Sequence, residues 1–356
     1  MGQITIKDVA RRAGVSFQTV SLVLNHPEKV ARTTRETIEA AMRELDFVPS
    51  LAARSLRKKP SRSIACVFSV GAQPYDDLSG MMQETYQGIV LQTFAHVADQ
   101  FGYTLIHRRW RSDDPEGLGK ISSLVSEARV DGIVVFADRR DDPLIAMLQA
   151  KRFPFFVFGL DVADTHYAMR AERDAMYQMV RYLAQTGSTS ICFFKGERDG
   201  RRLRAVTERL RGYQDALAEA GLPLRDDLVV PCDWNSESGR RVTLGLLERQ
   251  SRPDAIVAAN DRVAFGVLKA LHDHRVRVPE DIRVVGFDNF VQCAYTIPSL
   301  TSIEVPMLEM VRFAFSTLVD LVEGTRPADD LAQKLFPTRL VFRDSTGSVL
   351  ETQPQG

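Results

Sequence analysis

No stretch of the 356 residues reaches the ~18–20 consecutive apolar residues that a membrane-spanning helix needs, so no such helix is expected. The chain also opens without a charged-then-apolar leader, and a cytoplasmic protein is expected. Cysteine is scarce: Cys66, Cys192, Cys232 and Cys293 stand far apart with no pair at metal-ligand spacing. Reduced thiols are therefore expected, not a disulfide framework or a zinc site. His272 and His274, two residues apart, fall on different faces of a helix and make poor metal geometry. There is no glycine-rich phosphate loop and no serine or cysteine nucleophile motif. Asp-Asp pairs begin at residues 76, 113, 141, 226 and 329, in turns before expected helices, where aspartate caps and favours the helix dipole. These absences argue against an enzyme and imply no cofactor and no metal.

A surplus of one charge is missing as well, with 46 Lys and Arg against 46 Asp and Glu. The average conceals an asymmetry. Residues 1–60 hold 11 basic against 6 acidic side chains, leaving 35 against 40 in the rest. A basic N-terminal module on an acidic body suits a small DNA reader joined to a larger ligand-binding part. Arg57, Lys58 and Lys59 end that basic module.

Residues 6–25 spell two short helices around a tight turn. Ile6, Val9, Ala10 and Ala13 recur at helical spacing, and Gly14 stands where a left-handed residue must break the helix. Ser16 is a good N-cap for a second helix whose Val20, Val23 and Leu24 point to the core. Phe17, Gln18, Ser21 and Leu22 remain outward, a set suited to base edges and phosphates. Thr33 to Glu36 reads as a capping box opening a third helix, with Ile38, Ala41, Met42 and Leu45 on one stripe. A fourth helical stretch, residues 50–57, is halted by Pro60.

This run resembles the headpiece and hinge helix of the lactose-repressor/galactose-repressor family of bacterial transcription regulators, and the resemblance continues to about residue 345. It implies a sequence-specific regulator, most simply a repressor of carbohydrate-utilisation genes. Double-stranded, near-palindromic operator DNA would be bound by a homodimer. It adds Thr5, Ser16, Thr19, Asn25 and Thr34 to the DNA-contacting set, with Ala53 and Leu56 of the hinge at the minor groove. One departure is at Leu22, where similar proteins usually carry Arg. Leucine has no donor for guanine, and its methyls suit a thymine methyl instead.

Beyond residue 63, apolar runs at 64–68, 104–106, 132–136 and 155–158, then 190–194, 254–258 and 283–287, alternate with amphipathic stretches. Two such series predict an α/β fold with two doubly wound parallel sheets and a cleft between them. The resemblance implies a two-lobed periplasmic-binding-protein-like core, the chain crossing between lobes near residues 165, 296 and 326. The expected partition is a headpiece at 1–48, a hinge at 49–60, a core at 61–345 and a polar tail at 346–356. Within the core, lobe 1 takes 61–165 and 297–325, and lobe 2 takes 166–295 and 326–345.

Ligands of such sheets bind beyond the carboxyl ends of the strands. Asn260 and Asp288 follow directly on strands, Arg209 lies on the helix after 190–194, and Trp234 offers a flat apolar face. All four match effector-binding positions in similar proteins, and a sugar effector is implied, with a purine or another metabolite as the alternative. Simpler roles stay open: Asn260 capping its helix, Arg209 pairing with acids, Trp234 filling core. Similar proteins usually carry Asp after the strand at 155–158. Here Gly159 stands there, with Asp161 two residues on as a substitute. The rival reading, a sugar-binding transport component, would not need the headpiece.

Overall fold

The computed structural model describes residues 5–25, 29–45, 47, 60–70, 85–111, 114–137, 139–197, 203–327 and 329–347. The expected hinge with Ala53 and Leu56, and the tail from residue 348, lie outside them. The chain forms two compact units, residues 1–63 with 119–131, and residues 64–118 with 132–356.

The headpiece is built from α1 (Ile6–Ala13), α2 (Phe17–Asn25) and α3 (Arg32–Glu44). Gly14 ends α1 at φ 67, the left-handed conformation its position predicts. The Ser16 Oγ accepts from Thr19 N–H at 3.1 Å and so caps α2. Val9, Ala10, Val20, Val23, Ile38 and Ala41 close a small apolar core, with Met42 and Leu45 packed against it. The expected capping box at Thr33 to Glu36 does not form. The third helix already begins at Arg32, with Ala31 in the cap position and no side-chain cap. The box sits on α1 instead, where Thr5 N–H and Oγ1 both donate to Asp8 at 2.9 and 2.6 Å.

The second unit holds two six-stranded sheets. The first comprises β1 (Ser63–Val70), β2 (Thr104–Arg111), β3 (Gly132–Phe136), β4 (Phe155–Phe158), β5 (Tyr167–Arg170) and β11 (Gln333–Phe336), in the order β11-β5-β4-β3-β1-β2. The second comprises β6 (Ile191–Gly196), β7 (Val229–Cys232), β8 (Ala255–Val257), β9 (Arg283–Asp288), β10 (Thr301–Glu304) and β12 (Arg339–Val341), in the order β12-β10-β9-β8-β6-β7. Central strands are parallel, as the pairings β1–β3, β3–β4, β6–β8 and β8–β9 record, whereas β12 runs antiparallel to β10. Parallel strands covered on both faces read as unbroken apolar runs, which is why 64–68 and 132–136 were legible. Between strands lie α4 (Thr85–Gln100), α5 (Pro115–Ser126), α6 (Pro143–Ala150), α7 (Glu172–Gln185), α8 (Arg204–Glu219), α9 (Ser236–Leu247), α10 (Asp261–Asp273) and α11 (Met307–Glu323).

The sheets shift the expected lobe boundaries. Lobe 1 keeps β5 to Arg170, so the first crossing falls at residue 171, not 165. Lobe 2 keeps β10, which moves the second crossing from 296 to 305–306. Strand β11 belongs to lobe 1, so the third crossing lies at 337–338, not 326. Of the aspartate pairs, Asp142 caps α6 by accepting from Leu144 N–H at 2.9 Å, and Asp226 opens a short 3-10 helix. All four cysteines are free and buried. Among the described residues no helix is long and apolar enough to cross a membrane, and no cluster of potential metal ligands occurs.

Candidate functional site

The carboxyl ends of both sheets converge on one cavity of about 240 Å³. Lobe 1 supplies Phe68 and Ser69 from β1, Phe136 and Ala137 after β3, Phe158, Gly159 and Leu160 around the end of β4, and Arg170 from β5. Tyr86 and Gln87, at the start of α4, also belong to this wall. Lobe 2 supplies the start of α8 (Leu203, Arg204, Ala205, Arg209), then Trp234, Asn260, Arg262 and Asp288. Four of the five residues expected to bind effector therefore meet in one place.

Arg209 does not pair with surface acids. It is 2% exposed and donates from Nε to Glu172 at 2.5 Å and from Nη1 to the Ala259 carbonyl. Its guanidinium lies 3.4 Å from the Phe287 ring centroid, a cation–π contact shielded from water. Gly212, one turn along α8, is what brings this pair together. A Cβ there would come within 2.1 Å of the Arg173 carbonyl, so only glycine lets α8 approach the first turn of α7, which carries Glu172.

Arg170 extends the network across the lobes. It contacts Glu172 at 2.7 Å and Asp288 at 3.4 Å, and its guanidinium lies over the Tyr86 ring. Burial alone would raise the Glu172 carboxyl, but Arg170 and Arg209 outweigh it and hold the group below its ordinary range. Asp288 goes the other way. Burial pushes it up to about 7 despite the opposing field of Arg170. Its backbone has φ 109, and Asn289 follows at φ 53, two non-glycine residues in the left-handed half of the map. Asp261 holds this turn in place, accepting from Phe290 N–H at 2.7 Å and Ser302 Oγ at 2.5 Å. Such unfavourable backbone persists where the surroundings enforce it, and it concentrates at ligand sites.

Asn260 does cap its helix, its Oδ1 accepting from Val263 N–H at 2.8 Å, while Nδ2 donates to the Trp234 carbonyl at 3.3 Å. It thus anchors the loop that carries Trp234. Asp161 is a correction. It is absent from the cavity lining, and its carboxylate is taken by Arg140 at 2.7 Å and Arg204 at 2.8 Å. The position after β4 keeps no acid, and the lobe 1 wall is aromatic instead. Phe68 and Phe136 stack at 4.1 Å, and Phe158 leans on Phe136 at 5.3 Å.

Sequence reasoning missed Arg170, Glu172, Arg204 and the three phenylalanines. The phenylalanines were readable, since each ends or nearly ends an expected strand. Arg170 was hidden because β5, with only Ala168 and Met169 buried, gives no apolar run. On the headpiece, Phe17 and Leu22 are 49% and 38% exposed, Gln18 is exposed, and Ser21 is half-buried. Leu22 is not a core residue. Thr19 and Thr34 are half-buried.

A three-helix headpiece with an outward-facing second helix, in one chain with a two-lobed core and a cavity between its sheets, has the make-up of a ligand-binding DNA reader. The profile for bacterial regulatory proteins of the lacI family matches residues 5–50, and that for a periplasmic binding protein-like domain matches residues 180–346. The HTH-type transcriptional repressor PurR of Erwinia tasmaniensis is 32% identical over 343 residues, 95% of this chain and 96% of that protein. Among solved structures, the lac repressor dimer bound to operator and the anti-inducer ONPF aligns over 98% of this chain and 100% of that one, with TM-score 0.78 and 26% identity. The transcriptional regulator CelR–cellobiose complex covers 96% and 100%, with TM-score 0.69 and 27% identity. The chain belongs to the lacI family of bacterial regulatory proteins. It is a DNA-binding transcription regulator and not an enzyme.

Proposed function

We propose that this regulator is a repressor whose hold on a near-palindromic operator is set by a small molecule in the cavity between its lobes. The observation that carries the reading is that one chain joins an outward-facing α2 to a ligand-sized cavity at the strand ends. The protein would act on DNA in the cytoplasm, as a homodimer like the lac repressor bound to its operator. Val291, Tyr295 and Ile297, 71%, 80% and 91% exposed within one short segment, support self-association. Thr5, Ser16, Phe17, Gln18, Thr19, Ser21, Leu22, Asn25 and Thr34 form the proposed DNA-contacting set, with Leu22 and Gln18 facing bases and favouring A·T pairs. The effector is a ring compound. The cellobiose complex of a structural neighbour favours a sugar ring, and Trp234 suits any flat ring.

The test is binding of the full chain to its own upstream DNA, followed by anisotropy, with and without a panel of ring metabolites. Saturable binding modulated by one compound is expected. Binding indifferent to sequence would end the operator reading, and indifference to every compound would end effector control.

A further inference from the structure

The two walls of the cavity differ in polarity. Sugar hydroxyls donate as well as accept, and lobe 2 answers both needs. Asp288 is half-buried and meets Arg170 through Oδ1, which leaves Oδ2 as an acceptor among the described residues. Asn260 keeps one amide hydrogen after its bond to the Trp234 carbonyl. Trp234, half-buried in the same wall, adds a flat apolar face.

Lobe 1 offers less of this among its described residues. Ser69 donates its hydroxyl to Asp142 at 2.6 Å, and Arg170 is engaged by Glu172 and Asp288. Beyond Gln87 and the Tyr86 hydroxyl, the described wall is aromatic or aliphatic. Phe136 is the phenylalanine that shows, being half-buried where Phe68 and Phe158 are only 5% and 4% exposed. Phe68 stacks on it at 4.1 Å, Phe158 leans in at 5.3 Å, and Phe94 of α4 meets it edge-on at 5.6 Å. Three rings thus fix a fourth, and an apolar group that meets it sheds water without having to order the wall. There is also room. Strands β3 and β4 pair with Val135 opposite Val157, so Gly159 comes one residue past the position facing Phe136. A Cβ on Gly159 meets nothing within 4 Å. Where similar proteins usually carry an acid, this wall has open space edged by aromatic rings.

We infer that the effector is a glycoside with an aromatic aglycone, its sugar ring on the lobe 2 wall by Trp234 and its aromatic group against Phe136 in the space at Gly159. This rests on the effector-controlled reading above and narrows the ligand class. A cavity split in polarity selects a ligand split the same way. A free sugar would turn hydroxyls toward Phe136, and an arene alone would leave Asp288 and Asn260 without partners.

Matched pairs test it by calorimetry and operator release on the full chain: phenyl against methyl glucoside and phenyl against methyl galactoside, each in both anomers, with phenol as the aglycone alone. At least one phenyl glycoside should bind about 10-fold or more tightly than its methyl partner, the gain that burying a ring of that size implies. Phenol should bind more weakly than that glycoside. Phe136→Leu keeps an apolar side chain for the fold but removes the ring, and the phenyl advantage should shrink in it. Phe136→Ser should abolish the advantage, and ligand-free melts check that both variants are folded. A methyl glycoside bound as tightly as its phenyl partner, phenol bound as tightly as the glycoside, no binding of any glycoside, or an undiminished phenyl preference in both variants overturns the inference. Operator release by a methyl glycoside alone overturns it while leaving effector control standing.

Discussion

The outward face of α2 and the lobe 2 wall of the cavity are both recognition surfaces, yet they are supported in opposite ways. Behind α2 the described buried side chains are all apolar, six small or branched residues from Val9 to Ala41. The cavity wall is held by four charged groups, Glu172, Arg209 and Asp288 of lobe 2 with Arg170 reaching across from lobe 1, exposed by 14% or less at their side chains. A residue on the first surface can change without disturbing what holds it. On the second, recognition and stability share the same atoms. The headpiece and the cavity each depart from the family resemblance once, at Leu22 on α2 and at Gly159 beside β4 on the lobe 1 wall, and in both a charged side chain is replaced by an apolar one or none.

The largest test of the contrast is Arg209→Ala. Truncation strips Glu172 of one of two cations and the Ala259 carbonyl of its donor, both among buried groups. Breaking a buried pair on one side costs about 3–5 kcal/mol. Denaturant unfolding of the core should show a loss of that order, together with loss of the effector response. A variant as stable as the parent would mean that Arg209 serves the ligand alone.

Next comes pH. Asp288 and Asp261, raised to about 7 and about 6 by burial, bind protons more readily folded than unfolded, where aspartate titrates near ~3.9. Their contribution to stability is fully present below the unfolded value and is lost as pH rises through 6 to 7. Glu172 has the opposite sign in a separate window, its contribution being lost only as pH falls below the usual carboxylate range. Asp288→Asn should therefore flatten the fall in core stability between pH 5 and 8 by about 1–4 kcal/mol, read from melts across that range. An unchanged slope would assign the titration elsewhere. No described side chain behind α2 predicts a matching slope.

Those charges also explain what the sequence concealed. Strands 64–68 and 132–136 are visible because both faces are buried, and every residue must then be apolar. Strand β5 and the edge strands β11 and β12 are short and partly exposed, so Arg170, Gln333, Lys334 and Arg339 are tolerated there and break the pattern. Missing β5 and β11 displaced the first and third lobe crossings, missing the short polar β10 displaced the second, and with β5 went Arg170. Cavity residues that follow strong strands, Asn260 and Asp288, were found from their place at the strand ends together with the family resemblance. Asp161 was misjudged because sequence cannot show that Arg140 and Arg204 reach it first.

Leu22→Arg probes the other surface. Leu22 is 38% exposed and its neighbours Val20 and Val23 carry the packing, so stability should stay within about 0.5 kcal/mol. Base preference should move toward guanine by roughly 1–3 kcal/mol, scored by randomised-site selection. Recovery of guanine at that position by the parent protein would defeat the assignment of Leu22 to a thymine methyl.

The smallest expected change is Gly159→Asp, which restores the acid that similar proteins usually carry beside β4. Space is not the obstacle, since a Cβ on Gly159 meets nothing within 4 Å. The backbone is, because φ is +88, a conformation side chains rarely adopt, though aspartate tolerates it better than most. The strain should cost roughly 1–2 kcal/mol, below the effect of disturbing the arginine network. The new carboxylate would add an acceptor beside Phe158 and Leu160 on the lobe 1 wall. Hydroxyl-rich neutral rings should then gain affinity while ring acids lose it, as matched calorimetry with glucose and glucuronate would record. If the acid and neutral rings shift together, the new carboxylate does not meet the ligand, and the lobe 1 wall takes no part in selecting it.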